Sequence, residues 1–114
     1  MAATTKTKVN EPVETSLDVI ENSYFTKKEI LLAITETAGK VGAFDENDPN
    51  VQRLRALEDV AWRKRGVTQF EIEQAILRGL PEKDRAEYLR KIIENGIYIR
   101  ESIAELKQEF APEN

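Results

Sequence analysis

The side chains that could do chemistry in this 114-residue sequence are carboxylates, amines, guanidinium groups and hydroxyls, because it contains no cysteine and no histidine. Their absence excludes thiolate nucleophiles, disulfide frameworks, zinc-finger ligand sets, histidine general bases and serine–histidine triads. Carboxylates two residues apart, such as Glu71 and Glu73, point to different sides of a helix. The run from Gly39 to Gly42 lacks the spacing of a phosphate-binding loop. We therefore expect no enzyme active site and no cofactor.

Residues 45–50, Asp-Glu-Asn-Asp-Pro-Asn, form an acidic run that could hold calcium. An EF-hand loop beginning at Asp45 would need glycine at its sixth position and glutamate at its twelfth, where this sequence has Asn50 and Ala56. Asp48 and the proline after it are instead typical of a helix N-terminus. The run is predicted to be a capping loop, and no metal site is expected.

A basic cluster could hold phosphates or an acidic protein partner. It consists of Arg53, Arg55, Arg63, Lys64 and Arg65. Trp62 lies beside it and could stack on a base. Alternatively, the cluster compensates the carbonyl end of a helix dipole and Trp62 belongs to the core. Nucleic acid is the disfavoured partner, because 21 acidic against 17 basic side chains give a net charge of −4.

Residues 57–72 resemble the helix-turn-helix of bacterial DNA-binding proteins. Ala61 would lie on the first helix, a Gly66-Val67-Thr68 turn would follow, and Ile72 would lie on the second helix. The resemblance implies a DNA-binding unit at residues 51–79. However, the glycine stands one residue further from the alanine than in the usual motif, and two carboxylates on the second helix oppose phosphate binding. A tight helix hairpin within a bundle is the alternative.

Residues 81–110 are rich in helix formers and are interrupted only by Gly96. Their apolar side chains follow the alternating steps of three and four of a heptad seam. Either one long helix or two helices meeting at Gly96 would fit this pattern. Tyr98 and Arg100 flank the seam and are of types enriched at interface hot spots. The predicted oligomer or partner interface comprises Leu89, Ile92, Tyr98, Ile99, Arg100, Ile103, Leu106 and Phe110, although the seam could equally be the last core helix.

Local signals define the elements that must position these residues. Thr26 with Glu29, and Thr68 with Glu71, form capping boxes, and Gly66 is predicted to be left-handed after a helix end. The segments containing these boxes match at an offset of 42 residues, which independent use of one capping solution explains better than duplication does, because the similarity fades outside them. The predicted inward faces are Ile30, Leu31, Ile34, Ala38 and Val41 in the first helix and Val51, Leu54, Leu57, Val60 and Ala61 in the second.

These patterns predict one all-α domain of four or five helices over residues 16–114, with a mobile tail at residues 1–15 and a long C-terminal helix or helix pair. A chain of this length buries roughly 60–68% of its unfolded surface, which leaves little surplus stability and favours a partner. No apolar stretch is long enough to span a membrane, and the start lacks the apolar core of a signal peptide. We expect a cytoplasmic protein with no membrane contact.

The leading functional hypothesis is a non-enzymatic protein-interaction protein: a small adaptor, regulator or assembly component that forms homo-oligomers and contacts another protein. A DNA-binding transcriptional regulator that uses residues 51–79 is the first alternative. A structural component of a virion or scaffold is the second.

Overall fold

The computed structural model describes Ile20 and residues 26–42 and 45–111. These residues form five helices and no strand, which confirms the predicted all-α fold. The helices are α1 (Lys27–Ala38), α2 (Pro49–Lys64), α3 (Gln69–Gly79), α4 (Glu82–Glu94) and α5 (Arg100–Phe110). The mobile tail predicted at residues 1–15 lies outside the described residues. Ile20 is helical and buried.

The predicted helix ends are confirmed. Both capping boxes form: the Thr26 hydroxyl accepts from the Glu29 amide at 3.0 Å, and the Thr68 hydroxyl accepts from the Glu71 amide at 3.2 Å. Each glutamate accepts in return from the threonine amide, so two otherwise unpaired N–H groups are satisfied at each helix start. Gly66 has a φ of 69°, in the left-handed region that glycine adopts without strain.

The C-terminal stripe forms a helix pair, and the alternative of one long helix is wrong. Gly96 has a φ of 72°, which ends α4 and turns the chain. The chain is extended at Ile99, where α5 begins. Folding α5 back brings Leu106 and Phe110 against α4, whereas a straight helix would leave both side chains in water.

The five helices form two three-helix units that share α3. Backbone contacts join α1, α2 and α3 to one another, and likewise α3, α4 and α5, while no Cα of α2 lies within 8 Å of one of α4. Sixteen buried side chains form the first core, mostly from α1, α2 and α3. Five form the second core: Leu77, Leu89, Ile92, Leu106 and Phe110. The predicted inward faces of α1 and α2 are confirmed, with Leu31 only partly buried.

Helices α1 and α3 run in the same direction and approach closely at their C-terminal ends. Lys27 near the start of α1 pairs with Glu71 near the start of α3 at 2.9 Å. At the other end the backbone of Gly79 lies directly against that of Thr35. One helical turn earlier on α3, the Thr35 hydroxyl donates to the Ala75 carbonyl at 2.8 Å. Glycine is required at position 79 because any side chain would occupy the space of the α1 backbone.

Helix α4 returns antiparallel to α3 and caps it. The Arg85 guanidinium donates to the carbonyls of Leu77 and Leu80, at 3.0 Å each. These are carbonyls at a helix end, where intrahelical partners are lacking. One arginine therefore satisfies the end of α3 and fixes the path of α4.

Candidate functional site

The turn between α4 and α5 presents apolar side chains to solvent. Ile97 is 59% exposed and Ile99 is 66% exposed. Ile103 lies one helical turn beyond Ile99 and is partly buried. We call these three isoleucines the apolar turn. Arg100 and Glu101, both exposed, lie between Ile99 and Ile103 and place opposite charges beside the apolar turn.

The apolar turn is held in place by Tyr98, which turns inward between the two exposed isoleucines. Its ring meets Phe70 of α3 edge to face, with centroids 5.6 Å apart. The Tyr98 hydroxyl is buried without a hydrogen-bond partner among the described residues. Burial, aided by the negative charge of Glu73, raises the pKa of Tyr98 to about 12. Ile97 and Ile99 are therefore presented from an anchored backbone rather than from a free loop.

The structure divides the eight predicted interface residues into two groups. Four of them, Leu89, Ile92, Leu106 and Phe110, pack against Leu77 in the second core. The other four, Tyr98, Ile99, Arg100 and Ile103, lie in or beside the apolar turn. Four of the six seam residues are thus buried within the chain, and the other two, Ile99 and Ile103, lie at the N-terminal end of α5.

A buried carboxylate lies on the side of α3 that faces the second core. Glu73 is 7% exposed and occupies the helical stripe that also contains Phe70 and Leu77. It accepts hydrogen bonds from the Tyr88 hydroxyl at 2.8 Å and from the side-chain amide of Gln69 at 3.0 Å. Burial first, then the nearby Glu73 charge, raises the pKa of Tyr88. The tyrosine therefore stays protonated as the donor to this carboxylate.

A second carboxylate, Glu58 of α2, extends this polar cluster. Arg55 donates to Glu58 at 3.1 Å and also faces Glu46 at 3.8 Å. The pKa of Glu58 is raised mainly by burial, against the attraction of Arg55 and together with repulsion from Glu73. The carboxylates of Glu58 on α2 and Glu73 on α3 thus lie near each other, beside Tyr88 of α4, which packs against both cores.

This cluster lies beside a groove of about 480 Å³. The groove is lined by Val41, Gly42, Arg55, Asp84, Glu87, Tyr88 and Lys91. Two of its charges are paired: Lys91 lies 3.9 Å from Glu87, and Arg55 bonds Glu58, which lies outside the lining. Within the described ranges, no three side chains of metal-ligating type converge. Beside the groove, the hydrogen bond from Tyr88 to Glu73 links α4 to α3.

The predicted basic cluster does not form a single surface. Arg55 turns to Glu58 and Glu46, whereas Arg63 bonds Asp59 at 2.7 Å. Lys64 and Arg65 lie at the C-terminal end of α2, where cations complement the helix dipole. Arg53 is partly buried on the same helix. Only residues 63–65 remain together.

Trp62, placed in the core by one interpretation of the sequence, is 60% exposed. Core placement is therefore wrong for this residue. The first core is closed at this end by Ala61 and Val67, whose backbone amide bonds the Ala61 carbonyl at 3.1 Å. An exposed tryptophan thus stands directly before the basic end of α2.

The second helix of the helix-turn-helix-like unit is enclosed. It is α3, which packs against all four other helices. Its exposed side chains are Gln69 and Arg78, and Arg78 pairs with Glu109 at 3.0 Å. A recognition helix needs a free face to enter the major groove. This geometry weighs against α3 in that role.

Sequence reasoning missed Glu73 and Leu32. Glu73 could have been found from its place between Phe70 and Leu77 at steps of three and four, where a carboxylate interrupts an apolar stripe. Leu32 is 53% exposed on α1. Its signal was its place outside the predicted inward face of α1, because it lies two residues from both Ile30 and Ile34 and so points away from them.

Comparison with family models, curated proteins and solved structures gave no match to this chain. In the described part of the chain, each helix is too short or too polar to cross a lipid bilayer.

Proposed function

We propose that this chain is a non-enzymatic protein-interaction protein that associates with a second copy of itself through the apolar turn. The observation that carries the proposal is the exposure of Ile97 and Ile99 on a backbone anchored by Tyr98. An adaptor, a regulator and a structural component of a virion or scaffold would all use such a surface. A cytoplasmic location remains part of the proposal.

The chemistry around the apolar turn supports a second copy as the partner. In a two-fold dimer the same patch meets itself, so it must be self-complementary. Aliphatic side chains satisfy this requirement, and a two-fold axis can set Arg100 opposite the partner's Glu101 and the reverse. Anchoring of the turn lowers the entropy lost on association.

The association is expected to be weak. Each exposed isoleucine contributes about 1.5–3 kcal/mol when it is fully buried. These gains are opposed by an association cost of about 4–15 kcal/mol. Two isoleucines from each copy would contribute about 6–12 kcal/mol, so even the favourable ends of both ranges leave about 8 kcal/mol, and we expect a Kd no tighter than about 1 μM.

Replacing Ile99 by glutamate should abolish the dimer, because a charge in the centre of the contact loses its water without gaining a partner. Sedimentation equilibrium over micromolar concentrations should give a mass that approaches twice the 13.0 kDa of the chain for the unaltered protein. The Ile99→Glu variant should give the monomer mass throughout. Its unfolding midpoint, measured below the dimer Kd, should be unchanged, since the side chain is exposed.

Leu32→Glu is the matched control, because it places the same charge on an exposed aliphatic position of α1. It should associate like the unaltered protein. A strict monomer in the unaltered protein, or equal dissociation of both variants, would contradict the proposal.

Nucleic-acid binding is a second candidate function, and the exposure of Trp62 beside residues 63–65 favours it. The surface would be the end of α2 rather than α3. Trp62 is the sole tryptophan of the chain, so its fluorescence reports on this site alone. Stacking on a single-stranded oligonucleotide should quench it, with a strong dependence on salt and with loss in Arg63→Glu/Lys64→Glu. No quenching at low salt with mixed sequences would retire this candidate.

A further inference from the structure

The outer surface between α1 and α3 contains an apolar groove. The α1–α3 groove measures about 510 Å³, within the range of about 300–1,000 Å³ that is common for binding sites. It is lined by Lys27, Lys28, Leu31, Leu32 and Thr35 of α1 and by Ala75 and Arg78 of α3. It belongs to the first three-helix unit, whereas the apolar turn belongs to the second.

The floor of the groove is preformed and lacks free polar groups. The Thr35 hydroxyl is occupied by its bond to the Ala75 carbonyl. Backbone contact at Gly79 and the ion pair of Lys27 with Glu71 hold the two helices at either end. Leu32, 53% exposed, projects from one wall. A ligand for this floor must be apolar, and it would find the site already shaped.

The rim of the groove is basic. Its charged lining residues are Lys27, Lys28 and Arg78, and no carboxylate belongs to the lining. Lys27 and Arg78 each already pair with one glutamate, whereas Lys28 has no carboxylate within 4 Å among the described residues. This basic rim contrasts with the net charge of −4 of the whole chain. Because Lys27 and Arg78 are each balanced by one glutamate, Lys28 leaves the rim with a local positive charge, which favours an anionic partner.

We propose that the α1–α3 groove binds an amphipathic helix of another protein, one whose apolar stripe is flanked by aspartate or glutamate. Apolar side chains at steps of three and four would lie along Leu31, Leu32 and Ala75, as in other helix-in-groove complexes. The acidic flanks would meet Lys28 and Arg78. This partner is distinct from the second copy proposed for the apolar turn.

The test is a panel of three fluorescent synthetic helices with one leucine stripe and with glutamate, glutamine or lysine on the flanks. Binding to the full chain is followed by fluorescence anisotropy. The glutamate peptide should bind at least about tenfold more tightly than the glutamine peptide, and the lysine peptide more weakly still. Lys28→Glu should reduce the preference for glutamate over lysine about fivefold.

Leu32→Glu should remove binding of the glutamate peptide, and the milder Leu32→Gln should weaken it, while circular dichroism confirms that both variants are folded. Ile99→Glu should bind the peptide like the unaltered protein, so that failure of self-association does not affect this test. Equal binding of the three peptides, or no effect of either Leu32 variant, overturns the proposal. A lower self-associated mass in Leu32→Glu would also overturn the proposal. So would a result in which Lys28 and Leu32 are needed to bind an anionic vesicle or an oligonucleotide but not to bind the peptide.

Discussion

Replacing Gly79 by alanine is expected to lower the free energy of unfolding by about 3 kcal/mol or more. A Cβ at this position would overlap the carbonyl oxygen of Thr35 and lie 2.9 Å from its carbonyl carbon and 3.2 Å from the Cβ of Ala38. The two nearest obstacles are backbone atoms of α1, so no side-chain rotation relieves them. Alanine is a better helix former than glycine by about 1 kcal/mol, which offsets only part of this cost.

Gly42→Ala is the control for this prediction, because no heavy atom of the described residues beyond its chain neighbours lies within 4 Å of a Cβ built there, and its φ is not left-handed. It should change stability by less than about 0.5 kcal/mol. Thermal unfolding followed by circular dichroism compares the two variants. The Gly79 variant should lose at least about 10 °C, given a few degrees for each kcal/mol in a domain of this size. Equal midpoints would mean that α1 and α3 are not in backbone contact.

Replacing Leu106 by alanine should cost about 2–5 kcal/mol of unfolding free energy. Leu106 is fully buried in the second core between α3, α4 and α5, and its truncation leaves a cavity that the surrounding helices fill only in part. This loss of unfolding free energy is expected in the monomer and does not depend on association with a partner.

Ile99→Ala is the comparison that gives this result its meaning. Both residues belong to the heptad stripe in the sequence, but only Leu106 is buried within the chain. Urea unfolding at concentrations below the dimer Kd should show a large loss for Leu106→Ala and almost none for Ile99→Ala. If instead Leu106→Ala affected only the oligomer mass and left monomer stability unchanged, the second core would be an interface between copies.

Local sequence signals predicted the elements of this fold, because capping is decided by residues close in the chain. Thr26, Thr68 and Gly66 each form the predicted structure with partners no more than a few residues away. The apolar periodicity of α1 and α2 predicted their buried faces equally well, because an apolar stripe is buried in the core whichever element packs against it.

Tertiary structure decides which element packs against an apolar stripe, and the sequence did not predict this element. Leu89 and Leu106 obey one heptad pattern whether they meet in the same chain or across a dimer. Gly96 alone decides between these, through a backbone turn that brings α5 back onto α3 and α4. Gly79 shows the same limit: glycine is common at helix ends, and nothing local indicated that another backbone would lie against this one.

The candidate sites were less predictable than the helices. Leu32 is exposed and Leu31 is not, which depends on the rotation of α1 about its axis rather than on residue type. Glu73 is buried because Tyr88 and Gln69, fifteen and four residues away, bring donors to it. Trp62 lies in water because Ala61 and Val67 already close the core at that end.

Because two cores of unequal size share α3, we expect the two three-helix units to unfold at different free energies. Releasing α4 and α5 exposes a cluster of five side chains, whereas releasing α1 or α2 breaks a cluster of sixteen. The α4–α5 arm is therefore the subglobal unit that unfolds at lower free energy. Because the apolar turn lies on this arm, a partner that binds only the closed arm also raises its folding stability, in proportion to RT ln(1 + [L]/Kd). Self-association at that surface would thus regulate how much of the chain is folded as well as how many copies are joined.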